Sequence, residues 1–131
     1  MDTKRIHAEF FERTLPKSAW THEAHLAVCW RSLAIDAPHV ALDKLRAAIR
    51  AYNEVTGVPN TAKSGYHETL TRYYVEAVAE LASESFEAVV ADASTDRSAP
   101  LKYWSRDRLF SPAARRGWRT PDLRPLPWAE G

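Results

Sequence analysis

The stretch from Asp36 to Gly57, DAPHVALDKLRAAIRAYNEVTG, constrains the fold more than any other part of this chain. Leu42, Leu45, Ile49 and Tyr52 recur three and four positions apart, the spacing of one face of a helix that turns by about 100° per residue. Asp36 as N-cap, Pro38 in the first turn and Gly57 as a stop give that helix both its ends. His39, beside Pro38, is expected to face solvent.

An apolar stripe of this length has to be buried against something, and the same period recurs elsewhere. IHAEFFERTLP reads as a short helix stopped by Pro16, with Phe10 and Phe11 free to pack. KSAWTHEAHLAVCWRSLA places His22, Leu26, Cys29 and Leu33 on one stripe, with His25 about 60° to its side. YHETLTRYYVEAVAELA carries the stripe His67, Leu70, Tyr74, Val78 and Leu81, with Ser64 available as its cap. SESFEAVVADAS predicts a fourth, shorter helix through Phe86, Val89 and Val90.

Beyond residue 100 the segments shorten. LKYWSRDRLF and SPAARRG read as brief helices, the second with Ser111 as N-cap, Pro112 in the first position and Gly117 as stop. WRTPDLRPLPWAEG, with prolines at 121, 125 and 127, predicts an extended tail over 118–131, anchored by Trp118, Leu123, Leu126 and Trp128. No strand pair and no internal repeat is visible. The expectation is an all-α fold: a single domain over 1–131, a bundle of about four main helices with short C-terminal helices and a proline-rich extended tail.

Composition narrows the function. With 131 residues, 45% of them hydrophobic, the chain can bury a core without disulfides or a structural metal. Its 18 basic and 17 acidic side chains leave a net charge of +1, which gives no footprint for nucleic acid or an anionic membrane. The arginines at 106, 108, 115, 116 and 119 read as a solvated face. Cys29 is the only cysteine, so neither an intramolecular disulfide nor a thiolate zinc cluster can form, and its place on the apolar stripe makes it a small buried hydrophobe. No apolar run approaches the ~18 residues of a membrane span, and MDTKRIHAEFFER is not a signal peptide. A cytoplasmic location is therefore expected. The chain has no GxSxG elbow, and four glycines are too few for phosphate-cradling or dinucleotide loops.

What remains is histidine. His22 and His25 lie one turn apart at the start of the second helix, and His67 heads the helix two further on. Helices joined by short connections run antiparallel, so these two helices are parallel and their N-termini share one end of the bundle. Three imidazoles at one end could hold one divalent transition metal ion, zinc, iron, copper, manganese or nickel, with coordination positions left open as in catalytic sites. The metal site is the leading reading; the same residues could instead form a neutral polar pocket, and an i, i+3 histidine pair is by itself a weak motif. Glu68, next to His67, is the candidate general base, although a first-turn acid is equally explained by the helix dipole. Glu23 fits the dipole better, and His7 is a fourth ligand only if the N-terminal segment folds over that end.

The loop VPNTAKSGYH supplies Asn60, Thr61, Ser64 and Tyr66 as candidate substrate-binding groups, joined by Arg72. Ser64 as a helix cap and Gly65 as a turn residue explain part of it as well. Trp20, Tyr66, Tyr103 and Trp104 are available to wall a pocket.

Taken together, WTHEAHL, YNEVTGVPNT, GYHETLTR, SRDRLFSPAARRGW and PDLRPLPW resemble a family of small uncharacterised bacterial proteins that carry these blocks in this order. The resemblance spans nearly the whole chain and implies one complete domain. It implies no activity.

Three functions are left open. The first is a small metal-dependent enzyme acting on a small molecule, by metal-assisted hydrolysis or dioxygen chemistry, with His22, His25 and His67 as ligands. The second is a metal-free module in which the same histidines, Tyr66 and Arg72 hydrogen-bond a small polar ligand without turning it over. The third is a structural, partner-binding protein that uses the tail. A homodimer is admitted on general grounds.

Overall fold

The apolar stripes become helices in the computed structural model, which describes residues 1–129. α1 spans Thr3–Glu12, α2 His22–Ile35, α3 Pro38–Thr56, α4 Glu68–Leu81 and α5 Phe86–Ala91; α6 (Arg106–Leu109) and α7 (Pro112–Arg116) are single turns. Among the described residues no strand forms, and the fold is all-α as the periodicity predicts. None of these helices is long and apolar enough to cross a membrane.

The ends of the helices follow local chemistry, and some differ from expectation. The Asp2 carboxylate accepts the Arg5 amide at 3.0 Å to open α1, which closes at Arg13 in the left-handed region (φ 64°), ahead of Pro16. Thr21 Oγ1 accepts the Ala24 amide at 3.2 Å and starts α2, so Lys17–Ala19 form a separate 3-10 turn and not its first turn. Asp36 does not cap α3. It ends α2 and pairs with Lys44 at 2.9 Å, while Ala37 precedes Pro38, whose missing N–H would be unsatisfied there in any case. Gly57, at φ 80°, closes α3 as expected.

α4 is capped by His67 and not by Ser64: His67 Nδ1 accepts the Leu70 amide at 3.1 Å. The helix cannot begin earlier, because Gly65 holds φ +82° and Ser64 Oγ is already donated to the Pro59 carbonyl at 3.0 Å. Ser85, Ser105 and Ser111 each accept an amide three residues on and open α5, α6 and α7.

α4 is packed from two sides. One side joins the core of α1–α3 and α5, where Phe10, Leu26, Leu45, Tyr52, Val75 and Val89 are buried. Tyr52 donates its hydroxyl to the Leu15 carbonyl at 2.8 Å, so this aromatic is buried without an orphaned group. The other side, through Tyr73 and Ala77, meets Trp104, Leu109 and Leu126 from the C-terminal segments. The tail lies here as expected: Trp128 Nε1 donates to Glu76 at 2.8 Å and Trp104 Nε1 to the Arg119 carbonyl at 2.8 Å. Leu123 is not a side-chain anchor, being 56% exposed; its amide, donated to the Tyr103 carbonyl at 2.9 Å, is what holds that position. Residues 130 and 131 of the expected tail lie outside the described residues.

Candidate functional site

The N-terminal ends of α2 and α4 open on a cavity of about 550 Å³. Val28 and Cys29 from α2, Leu45 and Ile49 from α3, Leu70 from α4 and Leu109 from α6 make its wall largely apolar. Exposed Arg97 and Phe110 line it at the solvent side. Small-molecule sites commonly occupy ~300–1,000 Å³. His22, His25 and His67 all line this one cavity, so the expected meeting of the two helix starts is present.

The three rings differ in what they have left to offer. His67 Nε2 lies 2.7 Å from the Leu109 carbonyl, which can only accept, so Nε2 carries the proton. Its Nδ1 lone pair is taken by the Leu70 amide. Both nitrogens are spent, and burial, with Arg115 adding to it, holds the ring below its usual basicity against the favourable pull of the carbonyl. His22 Nε2 donates to the Thr95 carbonyl at 2.8 Å, which leaves Nδ1 unspent.

His25 is the third case. It stacks on Trp20 with ring centroids 3.8 Å apart, and Trp20 stacks in turn on Phe10 at 4.4 Å, so the imidazole is the last ring of a rigid stack. No described residue hydrogen-bonds it, and no buried side-chain nitrogen or oxygen among the described residues lacks a partner. Its nitrogens are therefore not sealed in the core, and the residue lines the cavity. Burial, then the neighbouring His22 and Arg97, push its pKa down to about 4, which keeps it neutral at physiological pH. Cys29, by contrast, is pushed up to about 12 by burial and stays a thiol.

As a metal donor set this arrangement is incomplete. A histidine ligand needs a free lone pair, and His67 could provide one only by giving up its cap on α4 or its bond to Leu109. Among the described residues no three His, Cys, Asp or Glu side chains stand as a group that could hold a metal ion. His7, considered as a fourth ligand, packs on Phe11 and faces Ser32 Oγ at 3.5 Å, outside the cavity lining.

Glu68 does not line the cavity either. Arg46 clasps it with two bonds of 2.8 Å, and Tyr66 donates its hydroxyl to the same carboxylate at 2.7 Å. Burial alone would raise this carboxyl, but the bonds from Arg46 and Tyr66 outweigh it and hold it below the usual carboxylate range. An ionised carboxylate with both oxygens occupied is a structural clasp between α3 and α4.

The loop before α4 is likewise satisfied from within. Asn60 Oδ1 accepts from Asn53 Nδ2 and from the Tyr66 amide, both at 3.0 Å, and Asn60 Nδ2 donates to the Arg50 carbonyl at 3.1 Å. Thr61 Oγ1 accepts the Lys63 and Ser64 amides at 3.2 Å. Gly65 is obligatory at its site, since a Cβ there would lie 2.4 Å from the Pro59 carbonyl oxygen. Asn60, Thr61 and Ser64 are thus outside the cavity lining, whereas Tyr66 lines it with its hydroxyl already spent. Arg72 is remote: it pairs with Glu76 at 2.6 Å and lies over the Trp118 ring at 4.1 Å, under the tail. Of the expected aromatic walls, Trp20 and Tyr66 line the cavity; Tyr103 and Trp104 belong to the second core cluster.

Several lining residues escape a reading of the sequence, Asn53, Tyr74, Arg97 and Phe110 among them. Asn53 carries a signal, as a polar residue one turn beyond Ile49 on an apolar stripe. Tyr74 reads as core. Arg97 and Phe110 stand in segments too irregular for any period to orient them.

Fold and cavity together define an all-α protein with a built, mostly apolar pocket. Compared with known proteins, the chain matches no family model, no curated protein and no solved structure.

Proposed function

We propose that this protein binds a small, largely apolar organic molecule in the cavity between α2, α3 and α4, with His25 as the polar group that orients it. One observation carries the reading: an apolar cavity of about 550 Å³ is met by a neutral imidazole, held by stacking on Trp20, whose nitrogens have no protein partner. A ring kept neutral can donate one hydrogen bond and accept another, which suits an oriented ligand inside a desolvated site. The groups that the fold needs, His67, Glu68 and the loop over 58–66, are consumed elsewhere and leave His25 to the ligand.

The test is titration with N-phenyl-1-naphthylamine, an apolar dye that fluoresces when taken out of water. Wild type should bind it saturably at one site. Ile49 in α3 and Leu101 in the 3-10 turn Ala99–Lys102 both line the cavity, so Ile49→Trp and Leu101→Trp fill it from different elements and should each abolish binding while helicity and cooperative unfolding persist. Binding that survives both fillings would overturn the reading.

A second reading, metal-assisted turnover by hydrolysis or dioxygen chemistry, is favoured by His22 Nδ1 and the open nitrogens of His25, two donors lining one cavity. It calls on two nitrogens, with water or substrate completing the coordination. Tag-free protein would then carry near-stoichiometric zinc, iron, copper, manganese or nickel, lost in His25→Phe. Protein that stays metal-free after incubation with each ion would exclude it.

A further inference from the structure

Among the described residues that line the cavity, Arg97 is the only permanently charged side chain, and none is an aspartate or glutamate. Two arginines packed on α4 are neutralised, Arg46 by Glu68 and Asp43 and Arg72 by Glu76. Among the described residues no carboxylate pairs with Arg97. Its position is nevertheless not that of a loose surface side chain.

The backbone that carries it is tied down from the cavity wall. His22 Nε2 donates to the Thr95 carbonyl at 2.8 Å, and the Tyr74 hydroxyl donates to the carbonyls of Asp96 at 2.8 Å and Arg97 at 3.1 Å. Tyr73 adds a bond of 2.8 Å to the Ser94 carbonyl. Three aromatic or imidazole rings from α2 and α4 thus fix four consecutive residues, and the last of them places a guanidinium at the solvent side of an apolar pocket. Its charge is felt at His25, where it opposes protonation. The N-terminal ends of α2 and α4, each 14 residues long, add partial positive charge on the same side.

We infer that the ligand is a small amphipathic anion: an apolar body within the cavity and a single oxyanion group, a carboxylate or its sulfonate or phosphate equivalent, seated between Arg97 and the His25 N–H. This rests on the cavity being a ligand site. A guanidinium offers a planar pair of donors to an oxyanion, and the neutral imidazole offers one more. A cationic ligand would meet Arg97 with no lining carboxylate to balance it.

Two probes that share one body separate the inference from its premise. 8-Anilinonaphthalene-1-sulfonate carries a sulfonate ionised at every usable pH; N-phenyl-1-naphthylamine lacks it. Wild type should bind the sulfonate about tenfold more tightly, the scale of one charge-assisted hydrogen bond. Arg97→Gln should erase that advantage and leave the neutral probe unchanged, and Arg97→Lys should restore part of it. Equal binding of both probes by wild type, unaltered in Arg97→Gln but lost in Ile49→Trp, would overturn the oxyanion assignment while the cavity reading stood. Binding of both probes that persists in Ile49→Trp and Leu101→Trp would overturn the two together.

Discussion

Two neighbouring parts of this molecule are built from the same kinds of residue and do opposite things with them. Around Glu68, every polar group has a protein partner: Arg46 and Tyr66 take the carboxylate, Asn60 takes the loop amides, and His67 caps α4 while holding Leu109. Around His25, the ring nitrogens and the neighbouring His22 Nδ1 have no protein partner. Residue type therefore does not separate site from scaffold here; the state of each lone pair does. A histidine, a glutamate and an asparagine at the head of one helix are consumed in making that helix start, whereas a histidine one turn into another helix is held by stacking alone and keeps its nitrogens for a ligand.

If that contrast is right, damage to the two parts should read out differently, in folding for the first and in binding for the second. The largest expected effect is at Gly65. Alanine there must hold φ +82° and press a Cβ against the backbone of Pro59 and Asn60, so Gly65→Ala should cost about 3–5 kcal/mol in urea unfolding. A loss below about 1 kcal/mol would mean that the loop readily rearranges.

Next is the clasp. Arg46→Ala leaves the buried Glu68 with only Tyr66 as a partner and should cost about 2–3 kcal/mol, discounted because Arg46 is partly exposed. Glu68→Gln, which removes the charge with the shape, should cost less. The reverse order would show that the carboxylate serves something other than the fold.

The third effect is a pH dependence. The unfolded His25 ring protonates near its ordinary value of 6.5, while the folded ring stays neutral down to about 4. Between those values the unfolded chain binds the extra proton, so stability is full above about pH 6.5 and falls as the pH drops towards 4, by about 3 kcal/mol from this ring. His67, also lowered in the fold, acts in the same sense. His25→Phe should flatten the slope and keep the stack on Trp20; an unchanged slope would place the acid sensitivity elsewhere.

The smallest effect is expected under the tail, where Arg72→Ala should cost at most about 1 kcal/mol and leave probe binding intact. A loss of binding in that variant would join Arg72 to the site after all.

The helices were legible because their apolar periods are long, and the meeting of His22, His25 and His67 followed from connection length alone. Details that depend on competition for hydrogen bonds were not. Ser64 looks like a cap until Gly65 turns the chain away from a helix, and Glu68 looks like a base until Arg46, 22 positions earlier, closes on it. The same limit hid Arg97: nothing local in TDRSAP says that Tyr74 and His22 pin its backbone beside the cavity.

The most direct test is to record histidine ring nitrogens by long-range proton–nitrogen NMR from pH 8 to 4, with and without N-phenyl-1-naphthylamine. The account predicts a fixed Nε2–H form for His67, a His25 ring that stays neutral until about pH 4, and a response to the probe at His25 without one at His67. A His25 that titrates near 6.5, or a probe that moves His67 and leaves His25 untouched, would contradict it.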